Sequence, residues 1–323
     1  MGLLINGHWD AAASMIPIDG GRFVREPSAF RAVVTADGSS GFPAAAGRYH
    51  LYVAYHCPWA WRTIVYRRLK RLEAPITMTI AVPNDRRDGW VFGDYAGGCT
   101  PDAVNGFTHL HQAYTAARAD YTGTVSVPVL WDRTTGTIVN NESSEIIRML
   151  NSAFEAFTDE HTDYYPPALR AAIDAVNERV YDGVNNGVYR VGLARSQEAY
   201  DEASARLFAT LDWLDERLGQ SRYLVGATLT EADWRLLPSL LRFDLVYHGL
   251  FKCNYRTLAS YANLAPYLRD LYQHPGVADT VNLAHFVRGY YSIPALNPTA
   301  IIPPVPRDYA HWLAQPHDRG RLA

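Results

Sequence analysis

The chain has little cysteine: Cys57, Cys99 and Cys253 are the three in 323 residues. Scattered this widely, they exclude the disulfide framework of a small secreted domain, and no spacing among them suits a structural zinc. Free thiols point to a reducing, cytoplasmic setting without a metal. Long apolar runs are also missing, and none nears the roughly 20 residues of a membrane helix. The opening Met1-Gly2-Leu3-Leu4-Ile5-Asn6 has no basic segment of a secretion signal. Asn6 stands where a myristoylation signal requires Ser or Thr, so no lipid anchor is expected. Charge of one sign is absent too: 30 Lys and Arg against 33 Asp and Glu give a formal −3, with no electrostatic pull toward nucleic acid. Tyrosine, by contrast, is abundant at 21 residues, which suits flat ligands as well as cores and interfaces.

Cys57 is followed by Pro58, Trp59 and Ala60 and stands between a strand-like run at 48–55 and a helix-like run at 61–72. Proline suits the first helical turn, where its missing N–H is no loss. A cysteine just before it faces unpaired backbone N–H groups and the positive end of the helix dipole, a setting that favours thiolate over thiol. The other reading of these four residues is a small buried residue at a strand end. Because Ala60 replaces the second cysteine of a Cys-x-x-Cys motif, a mixed disulfide on Cys57 needs an external thiol to clear it.

The periodicity then predicts a strand at 76–80, a Gly-rich loop at 83–105 and a helix at 110–118. Strands at 125–131 and 137–140 join through Thr134-Thr135-Gly136 into a hairpin, and a helix follows to residue 150. The order βαβ–α–ββα is that of a thioredoxin-like domain. Pro128 interrupts its strand, and proline cannot donate to a ladder. Opposite a redox cysteine, a cis-proline there leaves the backbone of Val127 to pair with a cysteinyl peptide. Glu142-Ser143 opens the next helix, where backbone N–H groups and a hydroxyl suit a carboxylate and the acid suits an ammonium group; an ordinary helix cap is the simpler account of these two alone. Taken in order, Cys57, Val127-Pro128 and Glu142-Ser143 describe a glutathione site.

After the linker Asp163-Tyr164-Tyr165-Pro166-Pro167, helices are predicted near 168–181, 197–218, 230–247, 264–273 and 277–288. Tyr200, Leu207, Leu211, Leu214 and Leu218 form a core stripe, and Thr230-Glu231-Ala232-Asp233 reads as a capping box. The expected organisation is an extended arm at 1–45, a thioredoxin-like domain at 46–152, an all-helical substrate domain at 164–296 and a tail at 297–323.

Together these segments resemble the glutathionyl-hydroquinone reductases, the Xi class of glutathione transferases. The likeness runs through Cys57-Pro58-Trp59-Ala60, Val127-Pro128-Val129-Leu130-Trp131-Asp132, Asn140-Asn141-Glu142-Ser143-Ser144, Asn185-Asn186-Gly187-Val188-Tyr189, Thr230-Glu231-Ala232-Asp233-Trp234 and Asn297-Pro298-Thr299, nearly the whole chain. It implies an α/β thioredoxin-like N-terminal domain followed by an all-α glutathione-transferase domain, paired as a homodimer. It also implies glutathione as co-substrate and aromatic hydroquinone conjugates as substrates. Cys57 would be the nucleophile, with Trp90, Val127, Pro128, Glu142 and Ser143 around glutathione. Tyr189 and Tyr290 would bond the ring hydroxyls; without the resemblance, both read as packing residues. Three positions depart from the family: Trp61 replaces a histidine, Thr124 an arginine, and Ser292-Ile293-Pro294 the usual Gly-Ser-His. The alternatives are an omega-like thiol-transferase acting on small mixed disulfides, or the same chemistry with another thiol such as mycothiol.

Overall fold

The structure is a computed structural model that describes residues 2–13, 16–83 and 88–322. Residues 84–87 of the predicted loop, residues 1, 14 and 15 of the predicted arm and residue 323 of the tail lie outside the described residues. Backbone contacts group the chain into two units: Met1–Met15, Pro27–Thr162 and Thr280–Ile302 form the first, and Ile16–Glu26, Asp163–Asp279 and Pro303–Ala323 the second.

The segment expected to be an extended arm begins as two small hairpins, β1 (Leu3–Ile5) with β2 (His8–Asp10) and β3 (Ile18–Asp19) with β4 (Arg22–Phe23). By the grouping above, the first hairpin belongs to the first unit and the second to the other. β5 (Tyr49–Val53) is followed by α1 (Pro58–Leu69), β6 (Ile76–Ile80), α2 (Leu110–Ala117), β7 (Val129–Asp132), β8 (Thr137–Asn140) and α3 (Ser143–Ser152). The sheet order is β6-β5-β7-β8, with β5 parallel to β6 and antiparallel to β7, the mixed sheet of a thioredoxin-like domain. All five residues of the inner strand β5 are buried, as expected for a strand covered on both faces. β8 would leave an open edge, and the arm covers it. The N–H of Ala32 donates to the Val139 carbonyl, the Asn141 N–H to the Phe30 carbonyl, and the Phe30 N–H to the side-chain Oδ1 of Asn141. Pairing of this kind protects an edge from other chains.

The second unit contains α4 (Arg170–Val180), α5 (Gly187–Gly192), α6 (Gln197–Gln220), α7 (Glu231–Arg242), α8 (His248–Leu250) and α9 (Leu264–Gln273). Leu207, Leu211, Leu214 and Leu218 are fully buried along α6, as their spacing requires, whereas Tyr200, expected in the same stripe, is half-buried and donates its hydroxyl to the Lys252 carbonyl. The predicted 230–247 helix is α only to Arg242 and continues as a wider π-helical turn, Phe243–Tyr247. That turn carries Asp244, whose carboxylate accepts the N–H groups of Leu258 and Ala259. A matching π-helical turn at Tyr181–Asn185 precedes α5, which the periodicity did not predict.

α10 (Leu283–Tyr291), assigned by sequence to the helical half, groups with the first unit. Within that unit, the Trp61 indole donates to the Thr280 carbonyl at 2.8 Å, and His285 Nε2 donates to the Ala96 carbonyl at 2.7 Å. The tail is also less extended than expected. It forms α11 (Tyr309–Leu313) and buries Arg319, which donates to the carbonyls of Leu218, Ser221 and Arg222 and so caps the end of α6.

Candidate active site

Chain direction alone places Cys57 where β5 ends and α1 begins. The turn closes with the Cys57 N–H donating to the Ala54 carbonyl, and the Cys57 carbonyl accepts the first helical bond, from Trp61. Cys57 is the N-cap residue, with Pro58 in the first helical turn. Its Sγ lies 3.6 Å from the carbonyl oxygen of Val127, and the Val127–Pro128 peptide is cis. The ladder of β7 starts only at Val129, so the N–H of Val127 has no hydrogen-bond partner among the described residues. A sulfur and an open peptide edge therefore face each other. The Cys57 side is 9% exposed, enough for a thin ligand chain.

Trp90 is buried beside this pair. Its indole N–H donates to the Val125 carbonyl at 3.1 Å, and its ring stacks on His56 with centroids 5.3 Å apart. Tyr114, which the sequence reading did not single out, ties the region together. Its hydroxyl donates to the Ser126 carbonyl and accepts from the Ser126 N–H and from Asn141 Nδ2, so one buried phenol spans both sides of the site.

Glu142 caps α3: Oε1 accepts the N–H and hydroxyl of Ser144, and Oε2 accepts the hydroxyl of Ser28 on the arm. Burial pushes its pKa up, but the hydrogen bonds from Ser144 and Ser28 and the charge of Arg62 outweigh it. The net shift is below the usual carboxylate range. A carboxylate has about four lone-pair positions, so three donors leave room for an ammonium group. The N–H of Ser143, first in the helix, has no intrahelical acceptor. Its hydroxyl accepts from Arg62 Nη1 at 3.3 Å, and that buried guanidinium also lies over the Trp59 ring. Arg62, Ser28 and His56 escaped the sequence reading. The charge of Arg62 in the second turn of α1, next to the buried Trp61, was the only signal for any of them.

Tyr290 is buried on α10 in the same unit as Cys57. Tyr189 lies on α5 in the second unit, half-buried among Phe23, Tyr247 and Phe251, with the Arg25 guanidinium 4.9 Å from its ring centre. The remaining cysteines differ from Cys57 in setting. Burial pushes the Cys99 thiol up to about 11 and raises Cys253 further, so neither presents a thiolate at neutral pH. Trp61 is fully buried, and its indole bond to Thr280 gives it a structural task. Thr124 is exposed, with its carbonyl bonded by Tyr121. After Tyr291 the chain is turned by Asn297, whose amide donates to the carbonyls of Tyr291 and Ile301. Among the described residues no three potential ligands are grouped to hold a metal, and no helix is long and apolar enough to cross a membrane.

Known proteins resemble this chain over nearly its full length. Residues 56–153 match the glutathione S-transferase N-terminal domain, and residues 197–270 match the C-terminal domain. The glutathionyl-hydroquinone reductase PcpF of Sphingobium chlorophenolicum is 50% identical over 94% of this chain and 96% of its own length. The glutathionyl-hydroquinone reductase YqjG of Escherichia coli K12 is 48% identical over 99% of this chain and 98% of its own. Its glutathione-bound structure superposes with a TM-score of 0.89 at 46% identity, covering 99% of both chains. A Xi-class transferase from Natrialba magadii gives 0.92 at 43% identity, over 100% of this chain and 98% of that one. With the thioredoxin-like sheet, the helical unit and this degree of identity over nearly the full length, the chain belongs to the Xi class of glutathione transferases, the glutathionyl-hydroquinone reductase family.

Proposed function

We propose that this protein reduces glutathionyl-hydroquinones to hydroquinones at the expense of glutathione, through a mixed disulfide on Cys57. The observation that carries the reading is the 3.6 Å approach of the Cys57 sulfur to the Val127 carbonyl at a helix N-terminus. A glutathione backbone paired along Val127 would bring its own sulfur to Cys57. Glu142 would receive the α-ammonium of the γ-glutamyl group, and the N–H and hydroxyl of Ser143 its α-carboxylate. Trp90 would flank the bound peptide. The two relatives named for this reaction support the choice of substrate.

The chemistry runs in two displacements. The Cys57 thiolate attacks the sulfur of the aryl thioether. The carbon–sulfur bond breaks, its electron pair stays with the ring carbon, and a proton is delivered there, while Cys57 and glutathione become a disulfide. A second glutathione thiolate then attacks that disulfide and leaves as glutathione disulfide, restoring Cys57; two electrons from thiols have reduced one aryl–sulfur bond. Tyr189 and Tyr290 would bond the ring hydroxyls and help place the proton. The protein would act as a homodimer in a reducing cytoplasm.

Steady-state turnover of a synthetic glutathionyl-hydroquinone, beside a small glutathione mixed disulfide, tests this. We expect kcat/KM to favour the thioether by at least about tenfold, with glutathione disulfide formed in equal amount to hydroquinone. A preference for the mixed disulfide would make the protein an omega-like thiol-transferase instead.

Glu142→Gln removes the charge while keeping the size. A hydrogen bond to a charged group contributes about 1.5–3 kcal/mol, so KM for glutathione should rise about 10- to 100-fold with kcat less affected. An unchanged KM would remove Glu142 from the ammonium site.

A further inference from the structure

We propose that His56 and Gly289 are a matched pair, a large residue before the nucleophile facing an absent side chain on α10, and that their contact sets the position of Tyr290. The proposal rests on the reduction put forward above, in which Tyr290 borders the substrate.

His56 immediately precedes Cys57 and is fully buried, with its ring stacked on Trp90 at an interplanar angle of 22°. The same side chain meets the backbone of α10. A Cβ built on Gly289 would lie 2.2 Å from His56 Cγ, 2.5 Å from its Cβ and 2.5 Å from its Cδ2. These atoms are at the root of the side chain, so no rotation of the ring removes the overlap. Gly289 is helical and needs no left-handed conformation, and alanine in a helix interior is favoured over glycine by about 1 kcal/mol. Local propensity therefore argues against glycine here, and the space beside His56 accounts for it.

α10 is held at its other end. Asn282 caps it, Trp61 bonds the Thr280 carbonyl just before it, and His285 bonds the Ala96 carbonyl with its ring edge-on to Tyr55 and Tyr95. A second close contact fixes that anchor: a Cβ at Gly97 would lie 2.7 Å from His285 Nε2. With the first turn pinned, a Cβ at residue 289 has to pivot the last turn away from His56. Tyr290 is the next residue in that turn and moves with it.

The test compares Gly289→Ala, His56→Ala and the double variant with wild type. Each is followed by melting temperature, kcat on a glutathionyl-hydroquinone, and the iodoacetamide alkylation rate of Cys57 assigned by peptide mass. A displacement of about 1 Å can slow an enzyme about 100-fold, so Gly289→Ala should lose kcat on that order. It should also alkylate about fivefold faster as the turn opens. Removing the imidazole makes room for the methyl group, so the double variant should recover both values to within about threefold of wild type. Wild-type values in Gly289→Ala, or a double variant no better than the single, would overturn the proposal. If Gly289→Ala does not fold, recovery of folded protein and of the alkylation rate in the double variant supports the pair, and its failure to fold refutes it. Should wild type show no hydroquinone turnover, the proposed function falls, while the alkylation comparison still decides the pair.

Discussion

Cys57→Ala is expected to lose glutathione-dependent turnover by at least about 10⁴-fold, because no other described thiol can take its place. Cys99 and Cys253 are both buried with their pKa pushed up, and neither adjoins the Val127–Pro128 edge: their sulfurs lie against the Ala81 carbonyl and the Val188 and Phe251 carbonyls. The loss should be almost entirely in kcat, since the groups proposed to hold glutathione, Val127, Glu142 and Ser143, are untouched. Alanine nearly conserves the shape and gives up only a long sulfur–carbonyl contact. The melting temperature should therefore stay within about 2 °C of wild type. Intact-mass spectrometry supplies the chemical readout. Wild type mixed with a glutathionyl-hydroquinone should gain a single glutathionyl group that added glutathione removes, and the variant should gain none. Turnover within tenfold of wild type in Cys57→Ala would end the covalent mechanism.

The second large effect is on stability. Asp233→Ala should destabilise the helical unit by about 4 kcal/mol. Asp233 is fully buried, and its carboxylate accepts four hydrogen bonds. Oδ1 takes the Leu224 N–H at 2.9 Å and the Tyr267 hydroxyl at 2.8 Å; Oδ2 takes the Thr230 N–H at 2.8 Å and its hydroxyl at 3.1 Å. One side chain thus closes the capping box of α7, fixes the turn before it and reaches across to α9. Each buried donor left without an acceptor costs about 1–3 kcal/mol, and loss of a cap about 1 kcal/mol. Part of this is recovered by relaxation. For a unit of this size the melting temperature should fall by about 8–16 °C. Asp233→Asn, which keeps one acceptor oxygen, should lose about half as much. A change under 1 kcal/mol in the alanine variant would mean that the network contributes little and that apolar packing alone positions α7.

The features read correctly from sequence were those whose cause lies within a few residues. The β-branched run Ile76-Thr77-Met78-Thr79-Ile80 forms β6, and Pro58 opens α1 with Cys57 at its cap. Thr230 and Asp233 make the predicted box, and the leucines of α6 are buried at their helical spacing. Misreadings arose where the cause is distant. The Phe243–Tyr247 turn widens where Asp244 binds a backbone segment 14 residues on. The arm forms hairpins and covers β8, and the tail carries Arg319, which caps a helix about 100 residues earlier.

The same division holds at the candidate site. From the amino-acid order alone came the element order of the thioredoxin-like sheet, the cysteine before a helix-opening proline, the proline within a strand and the acid–serine pair at the next helix. Each is written in adjacent residues, because backbone dihedral limits and helix-end hydrogen bonding act locally. Only the tertiary structure decided what surrounds them: Ser28 on Glu142, Arg62 under Ser143, Tyr114 between Ser126 and Asn141, and His56 against Gly289. These partners lie 12 to 233 residues apart along the chain, from Tyr114 and Ser126 to His56 and Gly289. Close packing selects such pairs by shape and by the need to satisfy buried polar groups, and neither leaves a pattern along the chain.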